Sequence, residues 1–60
     1  MALSVDEMQE WMEILKRQSG VFVDYTALYD RMGTREQLEH ITQCAARITE
    51  AAHELEAFHS

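Results

Sequence analysis

The chain has 60 residues, 47% of them hydrophobic, with no proline, one cysteine and a formal net charge of −6 at pH 7. That length allows one domain at most, and a chain this short buries only about 60% of the surface its unfolded form exposes, so it usually leans on a disulfide, a metal or a partner chain. A single cysteine excludes an internal disulfide and suits a reducing cytosol, the acidic balance argues against nucleic acid or an anionic membrane surface as partner, and no apolar run approaches the roughly 18 residues of a membrane span.

The opening MALSVDEMQEW turns acidic too early for a signal peptide, which supports a cytoplasmic location. Ser4 reads as a helix N-cap, with Glu7 three residues on completing a capping box and Leu3 and Met8 placed for a hydrophobic staple. Asp6 and Glu7 in the first turn and Lys16 and Arg17 in the last suit the helix dipole. With Gly20 as a C′ stop, the pattern predicts a first helix over about 5–18. Val5, Met8, Met12 and Leu15 form its seam, and Trp11 and Ile14 widen its apolar face.

Val21, Phe22 and Val23 read as a buried connector, because a lone strand would have no partner for its backbone groups. Asp24 can cap a short helix over about 25–32, with Tyr25, Leu28, Tyr29 and Met32 on one face and Gly33 ending it. Thr34 then opens a long helix over about 35–58 that contains neither Gly nor Pro. Its apolar residues alternate at steps of three and four: Leu38, Ile41, Ala45, Ile48, Ala52 and Leu55, a heptad with Leu38, Ala45 and Ala52 at a.

The two shorter helices together match the length of the third, so the expected fold is an all-α helical hairpin with a broken first arm. One hairpin cannot cover so much apolar surface, and two can, as a homodimeric four-helix-like bundle. The dimer interface is expected at Met8, Met12, Leu15, Ile41, Cys44, Ala45, Ile48, Ala52 and Leu55, where small residues allow close helix approach.

No catalytic motif is present: Ser4 caps a helix, Ser19 borders a turn and Ser60 is the last residue. No enzyme activity, cofactor or metal is therefore expected. The nearest chemical alternative is a metal or redox protein. It would use His40 and Cys44, four residues apart, or the Glu50/His53 and Glu56/His59 pairs, whose Glu-x-x-His spacing serves di-iron bundles. A second alternative is a DNA-binding dimer, since Leu28 to Leu38, with its central Gly33 and Thr34, resembles a helix-turn-helix. Its second helix, however, exposes Arg35, Glu36, Glu39, His40 and Gln43, a poor set for phosphates.

The favoured reading is a non-catalytic, acidic, protein-binding module: an adaptor, regulator or inhibitor of a larger protein, of a size that suits a phage or mobile element. Trp11, Tyr25 and Tyr29 are its candidate partner anchors, since aromatics dominate interface hot spots. Glu39, Glu50 and Glu54 provide an acidic face for a partner with a basic surface. The expected partners are a second copy and that larger protein, with neither nucleic acid nor membrane.

Overall fold

The computed structural model describes residues 4–59 as two α-helices, α1 at Val5–Met32 and α2 at Arg35–Phe58, joined through Gly33 and Thr34. The all-α hairpin expected from the sequence is present. The expected break in its first arm is not: α1 runs as one helix of 28 residues, through Gly20 and the Val21–Val23 run. Asp24 is therefore an exposed mid-helix residue and not a cap.

The reason is a repeat that crosses the glycine. Met8, Trp11, Leu15, Gln18, Phe22, Tyr25, Tyr29 and Met32 follow steps of three and four without interruption, so one continuous helix keeps Phe22 and Tyr25 on the same side as Trp11 and Leu15. A glycine inside a helix costs roughly 1 kcal/mol relative to alanine, and each β-branched valine a few tenths. Burying several aromatic and aliphatic side chains along one seam outweighs that.

Local signals fix the ends. Ser4 lies in the extended region and its hydroxyl oxygen accepts the Glu7 N–H at 3.2 Å. That hydroxyl also donates to Glu7 Oε1 at 3.2 Å, and the Met8 N–H reaches the Ser4 carbonyl at 2.9 Å. Leu3, the other half of the expected staple, lies outside the described residues. The stop falls at Gly33, whose φ of 62° is left-handed and whose N–H donates to the Tyr29 carbonyl at 2.7 Å. Thr34 opens α2 in the extended region without a side-chain bond to an α2 amide. Its hydroxyl donates instead to Gln37 Oε1, and Gln37 Nε2 lies 3.8 Å from Met32 Sδ. These contacts tie the start of α2 back to the end of α1.

The Cα extents are 43 × 14 × 12 Å. Twenty-eight helical residues span about 42 Å, so both helices lie side by side along the long axis. Tyr25 and His40 stack across them with ring centroids 4.5 Å apart, which sets the antiparallel register. Ala51 then lies level with Ile14 and Leu15, and Cys44 with Val21 and Phe22.

This packing shifts the heptad of α2. Ile41, Ile48 and Leu55 lie on the seam as expected, but their companions are Gln37, Cys44 and Ala51, one residue before Leu38, Ala45 and Ala52. Ala51 is 0% exposed and Cys44 6%, whereas Leu38 is 45% exposed. The small residues thus admit α1 of the same chain. Among the described residues no large side chain is fully buried, as expected when one helix can cover only one side of another.

Candidate functional site

Two long faces flank the seam, and the Tyr25–His40 stack shows which flanks belong together. On one face His40, Arg47 and Glu54 of α2 accompany Glu7, Ile14, Val21 and Leu28 of α1, with Glu10, Arg17, Asp24 and Arg31 beyond them. This is the charged face.

The opposite face joins Val5, Met12, Ser19 and Thr26 of α1 to Leu38, Ala45 and Ala52 of α2, with Val23, Thr42 and Thr49 at its margins. Its threonine hydroxyls turn back onto their own helices: Thr26 donates to the Phe22 carbonyl at 2.7 Å, Thr42 to that of Leu38 at 2.9 Å and Thr49 to that of Ala45 at 2.9 Å. Their hydroxyl protons are already used, so this threonine face is less polar than its composition suggests. Its rim carries Lys16 and Arg35 against Asp30 and Glu56, which cancel. The net charge of −6 therefore resides elsewhere, on the charged face and the outward sides of the helices.

The acids are also uneven along the axis. Asp6, Glu7, Glu10 and Glu13 of α1 lie level with Glu50, Glu54 and Glu56 of α2 at the open end of the hairpin, against Lys16, Arg17 and Arg47. The turn end is closer to balance.

The expected anchor residues separate. Trp11 and Tyr25 are half-buried on the seam, and Tyr25 is committed to its stack on His40. Tyr29 is 38% exposed and sits at the turn end with Leu28, Met32 and Leu38, each exposed as well. Glu39 pairs with Arg35 at 3.5 Å and Glu50 with Arg47 at 3.1 Å, both in solvent; such pairs contribute little. Glu54 is half-buried on the charged face. Of the expected dimer residues, Met8, Leu15, Ile41, Ile48 and Leu55 are half-buried along the seam and Cys44 is inside it, while Met12, Ala45 and Ala52 lie on the threonine face.

His40 is occupied by Tyr25 and Cys44 is enclosed by α1. Among the described residues no group of three His, Cys, Asp or Glu side chains is placed to hold a metal ion. Two surface depressions are open grooves on α1, one lined by Asp6, Gln9, Glu10, Met12, Glu13 and Lys16, the other by Phe22, Val23, Thr26, Ala27 and Asp30. The Gly33 junction is a tight hairpin and not a helix-turn-helix, whose helices cross at about 90–120°. Among the described residues no helix is long and apolar enough to cross a membrane.

The threonine face escapes a reading that ends the first helix at Gly20, because Ser19, Val23 and Thr26 then fall on separate segments. The unbroken repeat from Met8 to Met32 is the signal that joins them. Comparison with models of known families, with curated proteins and with solved structures finds no match.

Proposed function

We propose that this chain is a non-catalytic protein-binding module that acts as a homodimer of helical hairpins and serves as an adaptor, regulator or inhibitor of a larger protein. The observation that supports this reading is the distribution of apolar surface. No large side chain is fully buried among the described residues, while Val5, Val23, Leu28, Tyr29, Met32 and Leu38 stand exposed. A chain with that balance gains most from protein contact, since clustered exposed apolar surface is a mark of interaction sites.

The turn end, with Tyr29 at its centre, is the anchor for the larger partner. Tyrosine brings large contact area with little rotamer freedom to lose. The acids on the outward sides of the helices steer a partner with a basic surface, raising association rate more than affinity. The test is capture of the partner from the native host, followed by binding isotherms with purified components. Tyr29→Ala should leave the hairpin helical and weaken binding by about 2 kcal/mol or more, about 30-fold. Unchanged affinity would remove the turn end from the interface. Stoichiometric iron or zinc in protein purified without an affinity tag would replace this reading with a metal-binding one.

A further inference from the structure

We infer that the threonine face is the surface on which two copies of this chain join, stacked antiparallel so that α2 of each lies along α2 of the other. The inference rests on the homodimer reading above and names its face and arrangement.

Three observations carry it. The first is area. The accessible surface is 4635 Å² for a chain of 7.0 kDa, whereas a compact monomer of that mass exposes about 4,000 Å². The difference, about 600 Å², approaches the roughly 800 Å² that each partner contributes to a standard interface. The second is charge. Two copies each carrying −6 repel, and the threonine face is the long face whose own charges cancel. The third is hydrogen bonding. Thr26, Thr42 and Thr49 donate to carbonyls of their own helices, so covering them strands no donor.

Side-chain size and charge set the arrangement. Ser19 and Ala45 lie level at the middle of the face. An antiparallel stack centred there places Ala45 on its symmetry mate, Leu38 beside the other copy's Ala52, and Met12 beside the other copy's Thr26. Large side chains meet small ones, and Arg35 comes level with the other copy's Glu56. A parallel stack would instead bring the two acid-rich open ends together.

Sedimentation equilibrium at micromolar concentration should give twice the chain mass. Ala52→Glu should lower dimer affinity at least tenfold, while Ala46→Glu, the same charge on the outward side of α2, should leave it within threefold. Because Ala52→Glu could also unfold the chain, the second arm uses oxidation in a Cys44→Ala background. Ala45→Cys should form a covalent homodimer. A monomeric wild type overturns this inference and the dimer reading together. A dimer that Ala52→Glu leaves intact, or one that crosslinks only when Ala45→Cys and Ser19→Cys chains are mixed, overturns the face or the arrangement and leaves the dimer reading standing.

Discussion

Gly20 occupies a position that alanine would fill more stably. It is helical and exposed, and a Cβ built there meets nothing within 4 Å. Gly20→Ala should therefore stabilise the protein by about 0.5–1 kcal/mol, chiefly by restricting the unfolded chain. Chemical denaturation measures it, and a loss of stability would indicate a break in α1. Gly33 is the opposite case, because its φ of 62° costs an L-residue roughly 1–2 kcal/mol. Gly33→Val should lose at least that much, and more for the β-branch. The two caps also differ. Ser4 satisfies the Glu7 amide, so Ser4→Ala should cost about 1 kcal/mol. Thr34 makes no side-chain bond to an α2 amide, so Thr34→Ala should cost clearly less. Equal losses would mean that Thr34 caps α2 in solution.

Each helix alone carries a readable repeat, and what the sequence leaves open is phase. The pairs Cys44–Ala45 and Ala51–Ala52 make neighbouring registers of α2 nearly equal in hydrophobicity, because sliding the seam by one residue exchanges Ala45 for Cys44, another small apolar residue, and Ala52 for Ala51. At the start of the helix the choice lies between Leu38 and Gln37, and hydrophobicity favours Leu38. The structure takes Gln37 because its amide is engaged at the turn by the Thr34 hydroxyl and by Met32, contacts that hydropathy does not register. Ile41, Ile48 and Leu55 belong to the seam in either phase, which is why they were legible. The turn-end cluster was partly legible through Tyr29, whereas the threonine face required α1 to be whole. Ala51→Leu tests the phase directly. With Ala51 at 0% exposure, the larger side chain forces the helices apart and should cost about 1–3 kcal/mol. Ala46→Leu, on the exposed outward side, should change stability by less than about 0.5 kcal/mol. Equal effects would overturn the packing of α2 against α1.

At the scale of the whole molecule, a two-helix hairpin offers one seam and two open sides, so its stability should depend on how much protein surrounds it. If the folded species is a dimer, melting becomes a bimolecular equilibrium and the midpoint rises with concentration. Two chains of 60 residues should shift by about 5 °C for each tenfold change, from the typical unfolding entropy per residue. A concentration-independent midpoint over two decades would show that the monomer is the folded unit.

Salt then distinguishes the two kinds of association. Copies carrying −6 each repel, and the Debye length shrinks to about 10 Å at 0.1 M, so added salt should tighten self-association. A basic partner is attracted by that same charge, so added salt should slow its binding. Sedimentation of the protein alone and stopped-flow mixing with the partner, each followed from about 0.02 to 0.3 M salt, across which screening strengthens several-fold, should therefore trend in opposite directions. If self-association instead weakens as salt is added, attraction between unlike charges outweighs the net repulsion at the junction. Ala52→Glu would then tell whether that attraction is Arg35 against the other copy's Glu56 at the rim of the threonine face, in which case dimer affinity falls, or lies across the charged face of His40, Arg47 and Glu54, in which case it does not.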